Sequence, residues 1–368
     1  MKDNLDDFDK SQNTPTVRQR KAAYKAWKTI RKKKREIVGK DTLKIDPFLT
    51  VNRLASLVHP ETEGRAPSET KNASYGRGII GLFHKTPPDI GCGEFWEVRW
   101  AFGCPLDCSY CYLRGTNRGN MRPRFVKPDS VLKALDGVFG DPTFNYGKPA
   151  IFNTGELSDS LMKPELMRQI VDKFEEQKKH KVLLLTKMGP KSIGFLLEKP
   201  RRNTICAWSI NAIDVAKRWE KAAPSPEERI RAASMVSSKG YEVRVRIDPM
   251  FPVPDWKQQY EDLVFRIISE FEPRRIILGT PRGLWKTIHY AEKSGTDMEW
   301  ASFFAEDTGW GKKISTTTRL EMYRFMFDKL HSLGYPLDKV SICKETTALL
   351  SKLGIKFKPL TCQCYGQE

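Results

Sequence analysis

Ala101-Phe102-Gly103-Cys104-Pro105-Leu106-Asp107-Cys108-Ser109-Tyr110-Cys111-Tyr112-Leu113 is the most informative stretch of the chain. Its three cysteines stand in C-x3-C-x2-C spacing, just after an apolar run predicted as a strand. A loop at a strand end folds such thiols toward one point. Three thiolates suit three irons of a 4Fe-4S cube and leave the fourth iron open to a substrate or cofactor. Zinc is the competing metal, but it usually takes four protein ligands from paired C-x2-C elements, and no second C-x2-C occurs. Three buried free thiols are the bland alternative.

Outward from this stretch, short apolar runs alternate with helical segments, the pattern of β-α units and a parallel sheet. Strands are predicted at 97–102, 150–153, 182–186, 204–210, 242–247 and 275–278. Helices are predicted at 127–138, 164–178, 191–197, 226–239 and 255–270, with Pro164 and Pro226 in first-turn positions. Six such strands make an open α/β sheet or a partial barrel. In both, the chemistry gathers at the C-terminal strand ends. Residues 280–318 read as a long loop carrying Trp285, Trp300 and Trp310. A helix at 318–333, a strand at 340–342 and a Cys-bearing tail follow.

Composition bounds the rest. The chain has 368 residues, a net charge of +18 and eight cysteines. At 39% hydrophobic and 29% charged it is globular rather than disordered or collagen-like. No uncharged apolar run is long enough to span a membrane. Met1 to Lys10 holds four Asp and no apolar run, so no secretory signal is expected. A cytoplasmic, reducing location follows, where cysteines serve as ligands more often than as disulfides. Arg18 to Lys40 carries 11 Lys and Arg against one acidic residue, Glu36. Such an arm suits phosphate neutralisation, and a solvated tail is the bland alternative. The expected division is a basic flexible leader over 1–45, an irregular lead-in over 46–93, a barrel over 94–280 and a C-terminal extension over 281–368.

The cysteine motif resembles that of the radical S-adenosylmethionine (SAM) superfamily. The resemblance implies a partial (β/α)6 barrel, a 4Fe-4S cluster on Cys104, Cys108 and Cys111, and SAM bound at the open iron. It implies reductive cleavage of SAM to a 5′-deoxyadenosyl radical that abstracts hydrogen. It also implies an electron donor such as flavodoxin or ferredoxin. On the same footing, Gly155 and Glu156 match a motif near the methionine amine. Lys187 is placed to pair with a carboxylate, Ser209 and Asn211 to hydrogen-bond ribose or carboxylate, and Tyr110 to lie beside adenine. Solvated loop residues are the bland reading of each.

A narrower resemblance is to the spore photoproduct lyase-like branch. It is carried by Cys108-Ser109-Tyr110-Cys111-Tyr112-Leu113, Leu185-Thr186-Lys187, Trp208-Ser209-Ile210-Asn211-Ala212 and Pro224-Ser225-Pro226-Glu227-Glu228-Arg229-Ile230. It implies a nucleic-acid substrate, DNA in particular, and a radical-relay role for Tyr110 and Tyr112. Glu156 stands where that branch has its hydrogen-donor cysteine, two residues before Ser158-Asp159. A carboxylate cannot replace a thiol as hydrogen-atom donor, so a relative with a different reaction, or with a donor from elsewhere, is expected. The expected function is therefore a radical SAM enzyme for DNA repair or base modification. The alternatives are a peptide or small-metabolite substrate, or a nucleic-acid-binding protein with a structural cluster.

Cys343, Cys362 and Cys364 form a second group. A second iron–sulfur cluster, zinc or a redox thiol, and free thiols without a shared role all remain open for it. Cys92 is a further ligand candidate, and Cys206 reads as core. Arg244, Arg246 and Asp248 share one face of a strand by its period of two. There they bind a phosphate or a SAM group, with Arg246 the candidate, or make a buried ion-pair network. The three tryptophans with Arg282, Lys286, Lys312 and Lys313 suit base stacking and backbone tracking, or a core layer.

Overall fold

The structure, a computed structural model, describes residues 74–355 apart from 77, 85, 309 and 310. The basic arm, Trp310, Cys362 and Cys364 lie outside the described residues. In chain order the strands begin with β1 (Ser74–Tyr75), β2 (Ile80–Phe83), β3 (Ile90–Gly91) and β4 (Phe95–Val98). Next come β5 (Ala101–Phe102), β6 (Arg124–Phe125), β7 (Ile151–Asn153) and β8 (Lys181–Thr186). Then follow β9 (Thr204–Ser209), β10 (Glu242–Ile247), β11 (Arg275–Leu278) and β12 (Arg282–Gly283). Last are β13 (Glu306–Thr308), β14 (Gly311–Lys313), β15 (Val340–Ile342) and β16 (Glu345–Thr346).

Nine strands form one sheet in the order β1-β2-β4-β7-β8-β9-β10-β11-β15. From β4 to β15 every neighbouring pair is parallel. The order follows the chain and never reverses, so right-handed crossovers lay the helices on one face. This is the winding of a barrel wall rather than of a doubly wound sheet, and the edges β1 and β15 leave it open: a partial barrel. Strand alternation then sorts the side chains. Val182, Leu184, Cys206, Trp208, Val243 and Val245 face the helices in the main core. Phe95, Ile151, Leu183, Ile205 and Ala207 form a separate cluster on the inner face.

Two helices start where the sequence places them, whereas the one expected from 191 starts at Gly194 and the helix Ile213–Trp219 has no counterpart in the sequence reading. Pro164–Glu176 and Pro226–Ser238 each carry proline in the first turn. Ser225 and Glu228 close a capping box on the second, with Ser225 Oγ accepting from Glu228 N at 3.2 Å and Glu228 Oε2 from Ser225 N at 2.9 Å. Such a cap stabilises a helix by about 1 kcal/mol.

Two expectations need correction. The predicted strand 97–102 is two strands: β4 stays in the sheet, while β5 leaves it to pair with β6. The break falls where Arg99 N turns to Ile79 O (2.7 Å) and the buried Trp100 indole donates to Thr154 O (2.8 Å). The predicted loop 280–318 contains the helix Trp285–Lys293 and a small antiparallel sheet, β12-β14-β13. Its short strands have little alternation to read. β15, beyond this segment, joins the main sheet by pairing with β11. Among the described residues no helix is long and apolar enough to cross a membrane.

Candidate active site

A chamber of about 870 Å³ opens at the C-terminal ends of the strands. That is within the range of small-molecule and cofactor sites. Inner-face parity brings Glu97 of β4, Ser209 of β9 and Arg246 of β10 to its wall, and the cysteine loop closes one side.

The loop is held by backbone bonds. Gly103 N donates to Leu157 O (3.0 Å), Cys104 N to Met121 O (2.9 Å) and Ser109 N to Trp219 O (2.9 Å). Gly103 has φ +83°, and a Cβ there would lie 2.6 Å from Arg122 O, so no other residue fits. Buried Arg114 braces the turn from within, donating to Cys108 O at 3.2 Å and Asp107 O at 3.0 Å. Cys104, Cys108 and Cys111 are free and all line the chamber. Burial pushes the Cys104 thiol up, and the Cys108 thiol up to about 12. Such thiols stay neutral at pH 7 unless a metal displaces their protons. Among the described residues no three His, Cys, Asp or Glu side chains are arranged to hold a single ion. Three soft thiols facing one chamber are a donor set that suits an iron–sulfur cluster, which takes one thiolate per iron.

Beneath the loop lies a buried polar network. Arg229 donates to Glu220 Oε2 and Tyr110 to Glu220 Oε1. Burial works against the Glu220 carboxylate, yet Arg229 and Lys187 hold it below its usual range. Lys187 Nζ donates to Ser209 Oγ at 3.0 Å and stands 3.9 Å from Glu220. Asp159 fixes the Lys187 backbone, accepting from its N–H at 2.7 Å. Beside them the Ser158 hydroxyl is buried, lines the chamber and has no hydrogen-bond partner. An ammonium, a serine and an unused hydroxyl on one wall suit a carboxylate-bearing ligand such as SAM. Gly155 permits the close packing there: a Cβ would lie 2.6 Å from Leu185 Cβ and 2.8 Å from Leu185 O.

The facing wall is charged. Glu156 accepts from Tyr112 Oη at 3.0 Å and from Asn153 Nδ2 at 3.1 Å. Burial, then the Glu156 charge, push the Glu97 carboxyl up. Asp248 takes both Arg246 (2.6 Å) and Arg282 (2.9 Å). Burial opposes its charge, but the two guanidiniums hold its carboxyl far below the usual range. Arg246 also donates to Cys343 Sγ at 3.3 Å. Lys344 lines the chamber with its ammonium 4.8 Å from the centre of the Phe83 ring.

Most residues singled out from sequence meet here: the three cysteines, Tyr110, Tyr112, Gly155, Glu156, Lys187, Ser209 and Arg246. Asn211 does not. Its side chain donates to Pro249 O (2.8 Å) and accepts from Tyr260 Oη (3.0 Å), so it braces the loop after β10. Cys343 follows β15 and accepts from the chamber-lining Arg246, while Cys362 and Cys364 lie outside the described residues. Arg244 pairs with Glu242 lower in the barrel, so the ion-pair reading holds for β10. Trp300 is core, whereas Trp285 is 54% exposed with Lys312 Nζ 5.4 Å from its ring centre. Sequence reading missed Glu97, Ser158, Glu220 and Lys344. Inner-face parity on β4 could have found Glu97; nothing local marks Glu220 as the partner of Arg229 and Tyr110.

A family model, spore photoproduct lyase, matches residues 93–276, half of the chain. A spore photoproduct lyase of Clostridium acetobutylicum is 26% identical over 175 residues, 46% of this chain and 50% of that protein. One of Bacillus subtilis is 24% identical over 170 residues, 46% and 49% of the two chains. The chain thus spans about half the length of these curated relatives. Among solved structures, a spore photoproduct lyase variant with bound AdoMet and dinucleoside spore photoproduct superposes with TM-score 0.57 at 18% identity, over 71% of this chain and 78% of that one. A second, complexed with dinucleoside spore photoproduct, gives TM-score 0.56 at 17% identity, over 67% and 75%. These two share the fold. The family match takes in the cysteine loop, Lys187 and Ser209, and the chain belongs to the spore photoproduct lyase family.

Proposed function

We propose that this chain is a radical SAM enzyme acting on nucleic acid, either repairing a DNA photolesion or modifying a base. The observation that carries this reading is the convergence of three free thiols, the Lys187–Ser209 pair and the unpartnered Ser158 hydroxyl on one chamber. Cys104, Cys108 and Cys111 would hold the 4Fe-4S cluster; Lys187, Ser158 and Ser209 would bind the amino-acid end of SAM. When bound, these groups supply a carbon radical able to remove hydrogen from an unactivated position. The protein's part is to bind, orient and exclude water. Glu220, itself held by Arg229, anchors Tyr110 and with it the cysteine loop. Tyr112 keeps its phenolic proton, its hydroxyl reaching both the backbone carbonyl and Oε2 of Glu156.

Glu156 distinguishes this chain from a lyase that finishes through a thiol at that position. The proposed reaction is hydrogen abstraction from the nucleic acid, completed without a thiol at residue 156. The relative seen with a dinucleoside photoproduct makes ultraviolet-irradiated DNA the first substrate to test. Reconstituted protein, dithionite, SAM and methyl-deuterated irradiated DNA are incubated without oxygen. Deuterium in 5′-deoxyadenosine is the expected result, lost in Cys108→Ala. No 5′-deoxyadenosine, or release without label or DNA dependence, overturns the reading.

A further inference from the structure

We propose that the segment from Arg118 to Lys127 is the docking surface for a small acidic one-electron carrier protein that reduces the cluster. The inference rests on the cluster reading above and adds the partner's site. β6 pairs with β5, the two residues that run into Gly103 and Cys104. Met121 shares a buried cluster with Cys104 and Cys108, and its carbonyl takes the Cys104 N–H. Met121 is buried, yet Asn120 and Arg122 on either side of it are exposed. This segment therefore forms part of the wall between solvent and the cysteines, with exposed residues one position from the residue that hydrogen-bonds Cys104. The chamber on the inner side is where cofactor and substrate bind, so an electron supplied during turnover must cross such a wall.

The outer surface of this wall has the chemistry of a redox docking site. Arg118, Arg122, Arg124 and Lys127 are exposed, with no acidic residue among positions 117–128. Phe125 is 44% exposed, and Lys163 Nζ lies 4.6 Å from the centre of its ring. An exposed aromatic among unopposed cations is an anchor with a steering field, as short-lived charge-guided encounters require. Redox encounters use small interfaces of this kind. One electron passes from the reduced carrier to the cluster; no bond forms or breaks and no proton moves. Nucleic acid is the competing polyanion. The aromatic–cation pair of Trp285 and Lys312, beside chamber-lining Leu284, offers it a separate approach.

The test uses the reconstituted full chain and a bacterial flavodoxin. Arg122→Glu with Arg124→Glu should slow cluster reduction by reduced flavodoxin, and weaken flavodoxin binding, by about tenfold or more. Reduction by dithionite and affinity for DNA should stay within about twofold. Phe125→Ser, which leaves the charge intact, should weaken flavodoxin binding alone, and serves if the double variant does not fold. Unchanged flavodoxin binding and reduction in these variants overturns the proposal. So does a loss confined to DNA affinity, which would make the surface a nucleic-acid site. Failure of the cluster reading is separate: the parent protein would then form no 5′-deoxyadenosine with dithionite.

Discussion

Glu220 and Arg229 form an ion pair with neither side chain exposed, under the loop that carries Cys108 and Cys111. Removing one partner leaves a charge in a site that water cannot reach. Glu220→Gln should cost about 3–5 kcal/mol in a urea unfolding measurement. Replacing both, as Glu220→Leu with Arg229→Met, should cost less than either single change. A double variant as unstable as the sum of the two singles would contradict this.

The Ser158 hydroxyl takes no part in holding the fold. Ser158→Ala should therefore leave the melting temperature unchanged or raise it, while weakening SAM binding about tenfold, the worth of one net hydrogen bond. Lys187→Met removes a charge-assisted contact, so calorimetry should show a loss of about 10–100-fold. Unaltered affinity in both variants would place SAM elsewhere.

Gly155→Ala puts a methyl group against Leu185 Cβ and its carbonyl. The expected cost is about 1–3 kcal/mol of stability. SAM affinity should fall with it, because the backbone at this position lines the chamber. A variant with parental stability would show that the β8 end yields easily.

The pH dependence of stability separates two buried groups. Burial pushes His180 down to about 4; its Nδ1 accepts from Ala150 N and its ring meets Phe139 and Phe144. The folded state keeps this ring neutral where the unfolded chain takes a proton. Its stabilising effect is complete above about pH 6.5 and is lost as pH falls toward 4, by about 2–3 kcal/mol. His180→Gln should flatten that acid limb. Asp248 has the depressed carboxyl of a doubly paired acid, so its contribution is present above about pH 4 and disappears only in stronger acid. Asp248→Asn should lower stability evenly between pH 5 and 8 by about 3 kcal/mol, as it strands Arg246 and Arg282.

Local patterns carried much of this protein's reading. The strands β10, β11 and β15 lie where alternation and apolar runs predict them, because a parallel strand buried on both faces shows little else. The C-x3-C-x2-C spacing and strand-end position single out residues that the fold brings to one chamber: the three cysteines, Lys187 and Ser209. Asn211 obeyed the same strand-end logic and failed, because Tyr260 and Pro249, far along the chain, use up its polar atoms.

By itself, then, the sequence determined the alternating β-α order and the spacing of the cysteine trio. These are properties of neighbouring residues, and spacing records them. Only the tertiary structure decided that β15 joins the sheet beside β11, that Arg282 clamps Asp248 from 34 positions away, and that Glu220 reaches Tyr110 from 110 positions away. It also decided which hydroxyl, Ser158, is left unpaired in the chamber. Such facts depend on which distant segments displace water from one another, and no local pattern encodes that.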